Sequence, residues 1–151
     1  MRTYLVVIDE TRESETALLF ASRRAAKTDG AVHILAVAPP PEFSQWGGVQ
    51  ATMEAEARDR AESLAMAAAG RIMGESGTRP RITVHLGDAV QAVRRTLEEQ
   101  PDVAALVLGA AAKGNPGILV THFAGVDSGT LPCPVMVIPG SLDREAIERL
   151  S

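Results

Sequence analysis

The stretch that decides the fold lies in the last third of the chain. It reads LVLGAAAKGNPG over residues 106–117, and PCPVMVIP follows over residues 132–139. An apolar run that ends in glycine and small residues is typical of a buried strand followed by a tight loop. In open α/β sheets, ligands bind in the crevice at the carboxyl ends of the strands. The sequence therefore predicts a parallel sheet with a candidate ligand site directly after this strand.

The remainder of the chain alternates between strand patterns and helix patterns, which predicts an α/β layer with right-handed crossovers. The predicted strands are Tyr4–Ile8, Ala31–Ala38, Ile82–Leu86, Val103–Leu108 and Val135–Ile138. The predicted helices are Glu13–Lys27, closed by Gly30, then Ala51–Met73, a segment capped by Asp88, Ile118–Thr130 and Asp143–Leu150. A polar linker, Glu42–Gln50, carries Trp46. We expect one domain over residues 1–140, a five-stranded parallel open sheet with helices on both faces, and a C-terminal helical extension over residues 141–151.

Composition narrows the classes of protein that the chain could represent. It has 151 residues, 46% of them apolar and 3% aromatic, so the core must be aliphatic, with Met66, Met73 and Met136 expected as core residues. The net charge is −4 and no basic stripe is interleaved with aromatics, which argues against nucleic-acid binding. The single cysteine, Cys133, excludes an intrachain disulfide. No apolar run is long enough for a signal peptide or a membrane span, so we expect a cytoplasmic protein with no membrane partner.

Several short motifs, in this order, resemble the universal stress protein family. They are Val6-Val7-Ile8-Asp9 at the first strand, His33–Val37 at the second, Gly87-Asp88 before the third helix, and Pro132-Cys133-Pro134-Val135 before the last strand. The resemblance covers nearly the whole chain and implies an adenine nucleotide alpha hydrolase-like fold with strand order 3-2-1-4-5. It also implies a homodimer formed through the fifth strand, with Val135 and Val137 in the contact. The alternative is that the terminal helix from Asp143 covers this edge of the sheet.

The glycine-containing loop after the fourth strand departs from the pattern of the ATP-binding members of that family. Those members follow the fourth strand with Gly-x-x-Gly, nine residues, and then Gly with Ser or Thr. Here Gly109 matches the first glycine, Ala112 occupies the second, and Thr121-His122 falls on the Gly-Ser pair. A β-branched Thr is unsuited to positive φ, and an imidazole is large where a hydroxyl should meet phosphate. We therefore expect ATP to bind weakly or not at all.

Two features of this region admit two interpretations each. Gly114 and Gly117 flank Asn115-Pro116 beside Lys113, which predicts either a shifted anion-binding loop or a Pro-Gly turn that starts a helix. Asp9 either contacts a ribose, as the resemblance implies, or is a solvated strand end. The candidate binding residues are Asp9, Val37, Leu108, Gly109, Ala112, Lys113, Gly114, Thr121 and His122.

The function expected from these observations is regulation without catalysis. No nucleophile, acid–base pair or metal-ligand spacing is visible, so no catalytic or metal-binding residue is assigned and no cofactor is expected. The resemblance then implies a stress-linked module that dimerises and contacts an unidentified protein partner. The alternative is an adenine-nucleotide-binding switch, for ATP or a related nucleotide, with weak or no hydrolysis. A phosphorylated receiver domain fits poorly, because Ile138-Pro139 lacks the lysine that such domains carry before that proline.

Overall fold

The fold is a parallel sheet with helices packed against both of its faces. The computed structural model describes residues 1–38, 47–76 and 78–151. The strands within these residues are β1 (Thr3–Ile8), β2 (Ala31–Ala38), β3 (Arg81–Leu86), β4 (Val103–Ala110) and β5 (Val135–Pro139). Their order in the sheet is β3-β2-β1-β4-β5 and every neighbouring pair is parallel, so the predicted fold class and strand order are confirmed.

Alternate side chains of the central strand feed two separate cores. The helices are α1 (Arg12–Lys27), α2 (Gly47–Ser76), α3 (Ala89–Glu99), α4 (Ile118–Thr121), which continues as a π-helical turn (His122–Val126), and α5 (Arg144–Leu150). Tyr4, Val6 and Ile8 pack with helices α1 and α2 on one face, whereas Leu5 and Val7 pack with helix α3 and Phe123 on the other. No helix in the described part of the chain is both long enough and apolar enough to cross a bilayer.

Helix ends follow capping chemistry, with one correction. Thr11 caps the N-terminus of α1, since its side chain accepts a hydrogen bond from the Ser14 amide. Asp88 caps the N-terminus of α3, since its carboxylate accepts a hydrogen bond from the Gln91 amide at 3.0 Å. Gly30 closes α1 as predicted, since its amide donates to the carbonyl oxygen of Ala25 at 2.8 Å, but the left-handed residue of this end is the preceding Asp29, with φ of 53°. Gly30 is needed for space, since a Cβ there would lie 2.6 Å from the carbonyl oxygen of Arg2.

Helix α2 corrects two predictions. It begins at Gly47, inside the predicted linker; the rest of that linker, with Trp46, lies outside the described residues. Met66 and Met73 are exposed, at 63% and 46%, and not in the core. Each follows a buried residue, Ala65 or Ile72, and one residue of helix turns the chain by 100°, away from the sheet.

The segment after β4 also differs from its prediction. The strand continues through Gly109 to Ala110, so this glycine lies in the strand and not in the loop. The predicted helix to Thr130 is instead a four-residue α-turn and a π-turn that ends at Val126. Phe123 is fully buried and packs in the same core as α3. Turns follow the segment, where the Ser128 amide donates to the carbonyl oxygen of Gly125 at 3.2 Å and the Thr130 amide to that of Asp127 at 3.1 Å.

Candidate functional site

The turn that joins β1 to α1 is held by a dense set of hydrogen bonds. The amide and the hydroxyl of Thr11 both donate to the Asp9 carboxylate, the amide at 2.8 Å. The buried hydroxyl of Ser14 lies 3.0 Å from the carbonyl oxygen of Asp9 and 2.9 Å from that of Thr11, so its single proton can be donated to either. Asp9 is therefore fixed at the carboxyl end of the central strand, although its side chain is exposed.

Gly109 brings the end of β4 against the first turn of α1. A Cβ on Gly109 would overlap the carbonyl oxygen of Glu13 and lie 2.5 Å from its carbonyl carbon. Gly140 makes a similar approach, because its Cβ would lie 2.6 Å from the carbonyl oxygen of Ala110 and 3.1 Å from the Glu13 Cβ. The glycine that matches the first motif position thus has a packing reason that involves no ligand.

A cavity of about 400 Å³ opens where these elements meet, and we call it the sheet-edge cavity. It lies at the carboxyl ends of β1, β2 and β4, between the β3–α3 turn and the start of α4. Its aliphatic walls come from Val7, Val37, Leu108, Leu119 and Val120, and its charged lining residues are Asp9, Glu13 and Asp88. Among the described residues, no lysine or arginine lines it.

Four of the nine predicted binding residues line this cavity: Asp9, Val37, Leu108 and Gly109. Ala112, Lys113 and Gly114 do not line it, and all three are exposed. The loop folds back on itself, because the Ala111 amide donates to the carbonyl oxygen of Pro116 at 3.1 Å.

Thr121 and His122 also lie outside the cavity lining. The Thr121 hydroxyl donates to the carbonyl oxygen of Gly117 at 3.0 Å. His122 Nε2 lies 3.0 Å from the Asp127 carboxylate and 3.0 Å from the Arg94 guanidinium, which itself pairs with Asp127. The His122 imidazole, which was aligned with the Ser or Thr of the glycine motif, is therefore part of a polar contact between α3 and the π-turn.

Sequence reasoning missed the residues that build the wall of the cavity at α4. Pro116, Gly117 and Ile118–Val120 line it, with Gly117 at φ of 121°. The Asn115 side chain accepts the Gly117 amide at 2.8 Å, so the Asn-Pro-Gly segment forms a turn that starts α4, one of its two predicted interpretations. The Asn-Pro-Gly turn was the feature of the sequence from which the position of α4 beside the cavity could have been predicted.

The other titratable candidates belong to the packing of the domain. His33 is buried and its Nε2 lies 2.7 Å from the Thr83 hydroxyl; burial, aided by Arg81, lowers its pKa. Burial raises the pKa of the partly buried Cys133 thiol, which lowers its reactivity. Over the residues that the structure describes, no group of three His, Cys, Asp or Glu side chains could hold a metal ion.

The chain runs from β1 outward through β2 to β3 and then crosses back to β4 on the other side of β1, which is the strand order of a doubly wound α/β domain. The sheet-edge cavity lies at the ends of β1 and β4, where the strand order reverses. The model of the universal stress protein family matches residues 1–139, and the chain belongs to that family. Among curated proteins, none matches the chain.

Solved structures show the same fold at low sequence identity. The universal stress protein UspA from Lactobacillus plantarum is 16% identical, with a TM-score of 0.75 over 91% of this chain and 97% of that one. A universal stress protein in complex with cAMP is 17% identical, with a TM-score of 0.62 over 93% and 98%. A family protein from Arabidopsis thaliana with AMP bound is 14% identical, with a TM-score of 0.64 over 92% of each chain.

Proposed function

We propose that this protein is a cytoplasmic, non-catalytic regulatory module of the universal stress protein family that does not hold ATP tightly. The observation that carries the proposal is the charge of the sheet-edge cavity. Its charged lining residues are Asp9, Glu13 and Asp88, and no lysine or arginine of the described residues joins them. A triphosphate placed there would face like charges in a partly enclosed space, where they repel more strongly than in bulk water.

The loop geometry supports the same proposal. Lys113 is exposed and outside the cavity lining, and the loop amide of Ala111 is bonded to Pro116. His122 is engaged with Arg94 and Asp127 on the side of α3. These placements support the proposal that neither Lys113 nor His122 contacts the phosphate oxygens of a nucleotide.

Regulation in this proposal works through association. The edge strand β5 pairs with β4 alone among the described strands, and Val137 on it is 38% exposed. An open strand edge with apolar side chains invites pairing with another chain. We propose a homodimer through Val135 and Val137, which would then present its helices to a further protein partner.

Isothermal titration calorimetry with Mg-ATP tests the central claim. We expect no site with a dissociation constant at or below about 10 μM, a binding free energy of roughly 7 kcal/mol. A tighter site would contradict the proposal. Denaturation with and without the nucleotide gives an independent check, because a ligand that binds the folded state raises the midpoint.

The second candidate function is an adenine-nucleotide switch with weak or no hydrolysis. The observation that favours it is the cavity itself, whose aliphatic walls and volume of about 400 Å³ suit a nucleoside. Relatives carry cAMP and AMP in their structures. Mass spectrometry of small molecules released from the natively purified protein separates the two candidates. A stoichiometric adenine nucleotide favours the switch, and its absence together with a flat adenosine titration favours the interaction module.

A further inference from the structure

A second cavity lies among helices α1, α2 and α5, and no described strand contributes to its lining. It has a volume of about 360 Å³, within the range of small-molecule sites, and we call it the three-helix cavity. In the described part of the chain it shares no lining residue with the sheet-edge cavity. Its lining residues Leu142, Asp143, Arg144 and Ile147 lie beyond residue 139, where the match to the family model ends. The three-helix cavity is therefore distinct from the crevice at the carboxyl ends of the strands.

Aliphatic side chains form the apolar part of this lining. Leu18, Ile72 and Ile147 are buried in the core, whereas Leu19 and Leu142 pack against that core and remain partly exposed. Leu19 and Leu142 therefore offer apolar surface that rests on a packed core. A ligand with a short aliphatic body would remove this surface from water, which favours binding.

Charges of both signs surround the aliphatic surface. The helices α1 and α2 and the start of α5 each supply one arginine and one carboxylate: Arg12 with Glu15, Arg71 with Glu75, and Arg144 with Asp143. Two of the three carboxylates already have partners within the protein. Glu75 pairs with Arg144 at 2.6 Å and with Arg23 at 3.7 Å. Asp143 accepts the Ala146 amide at 2.8 Å as the N-cap of α5.

The charges of Arg12, Arg71 and Glu15 are left without a partner, because none of the three forms an ion pair with another described residue. Arg12 and Glu15 are three residues apart in the first turn of α1, a spacing at which side chains are neighbours. Two guanidinium groups and one carboxylate therefore face a ligand together. This set suits a ligand that carries a carboxylate and an ammonium group close to each other.

We infer that the three-helix cavity binds a small zwitterion with an aliphatic side chain, the chemical class of the branched-chain α-amino acids. Its carboxylate lies between Arg12 and Arg71, whose forked donors match carboxylate oxygens. Its ammonium group lies at Glu15, and its side chain lies against Leu19 and Leu142. The inference is independent of both candidate functions, because the three-helix cavity and the sheet-edge cavity are lined by different residues.

Isothermal titration calorimetry with three ligands tests the chemical class. L-leucine carries both charges, L-leucinamide lacks the carboxylate, and N-acetyl-L-leucine lacks the ammonium group. We expect the wild type to bind L-leucine with a dissociation constant of about 1 mM or below, since the charged groups of the cavity are exposed. We expect both analogues to bind about 10-fold more weakly, because each leaves one charge of the cavity unmatched.

Two variants assign the charged groups to their parts of the ligand. Arg71→Gln should bring the affinities for L-leucine and L-leucinamide within about threefold of each other. Glu15→Gln should do the same for L-leucine and N-acetyl-L-leucine. The matched controls are Arg58→Gln on α2 and Glu13→Gln on α1, since neither residue lines the three-helix cavity. Both controls should retain the preferences of the wild type.

Three results would overturn the inference. The first is a wild type that shows no binding of L-leucine at about 10 mM, or that binds it no more tightly than either analogue. The second is retention of the wild-type preferences by Arg71→Gln and Glu15→Gln, which would place the ligand elsewhere. The third is an equal loss in the matched controls, which would make the effect one of net charge. Circular dichroism checks that each variant is folded, and the three ligands on the wild type decide the matter where a variant is not.

Discussion

At the scale of single residues, Gly109 is the position where packing and the candidate site meet. Replacing it with alanine places a methyl group into the backbone of Glu13, which cannot move without displacing the first turn of α1. We expect Gly109→Ala to lower the free energy of unfolding by about 3 kcal/mol, the upper end for overpacking. Gly70→Ala is the control, because nothing lies within 4 Å of its new Cβ and alanine favours helix by about 1 kcal/mol. Urea denaturation measures the free energy of unfolding of both variants. Equal midpoints for the two would contradict the prediction and show that β4 and α1 can move apart without a loss of stability.

His33 gives the fold a dependence on pH. Burial, with a contribution from Arg81, lowers its pKa below the ordinary value of about 6.5, so the unfolded chain binds a proton more readily than the folded one. Stability therefore falls as the pH drops below about 6.5 and is unaffected by this group above that value. Unfolding at pH 7.5 and 5.5 should show a smaller loss for His33→Gln, which retains a partner for Thr83, than for the wild type. An identical loss in both proteins would assign the dependence to other groups.

At the scale of elements, β5 exposes half of its backbone. The Leu106 amide donates to the carbonyl oxygen of Pro134 at 2.9 Å, and alternate residues of a strand point their amides to opposite sides. The amides of Val135 and Val137 therefore point away from β4, toward the open edge. Val137→Pro removes an outward donor and leaves the β4 ladder intact, so we expect it to convert a dimer to a monomer in sedimentation. A monomeric wild type at about 100 μM contradicts the proposed dimer, and circular dichroism checks that the variant is folded.

Elements were predictable wherever the pattern was unambiguous. Val103–Leu108 is apolar at every position, as expected of a strand covered on both faces, and β5 begins directly after Pro134 and ends at Pro139. The alanine-rich α2 was harder to predict, because alanines occupy the buried stripe and methionines lie beside it, so hydrophobicity alone misplaces Met66 and Met73. The π-turn was not predictable from hydrophobic periodicity, because Phe123 is the one fully buried side chain of this short segment.

The candidate site was predictable only in part, for a related reason. Asp9, Val37, Leu108 and Gly109 end strands, and topology brings strand ends together. The candidate residues in the loop after β4 were predicted from the spacing of the family's glycine motif. That prediction assumes that the loop has the same backbone conformation as in the ATP-binding members. Asn115 and Pro116 fold it back instead, and Ile118–Val120 take the place at the cavity.

At the scale of the whole molecule, α5 belongs to the core. The side chain of Ile147 is 2% exposed and packs in the same cluster as β1 and α1, so the division into residues 1–140 and a C-terminal extension separates parts that share one core. The end of the helix is held by α1, where Lys27 donates to the carbonyl oxygen of Glu148 and Arg24 to that of Ser151.

We expect Ile147→Ala to lower the free energy of unfolding by about 3 kcal/mol. Leu150→Ala, on the same helix but 54% exposed, should change it by less than about 0.5 kcal/mol. Similar thermal midpoints for the two variants would make α5 an independent appendage.

The close approach of β4 to α1 has a consequence for how a glycine motif is interpreted. A chain that holds α1 this close to the sheet needs a residue without a Cβ at position 109, whether or not it binds a nucleotide. Ala112 is exposed in the loop after β4 and meets no such packing constraint. The first glycine of the motif is therefore evidence for the packing of α1 and is not by itself evidence for a nucleotide site.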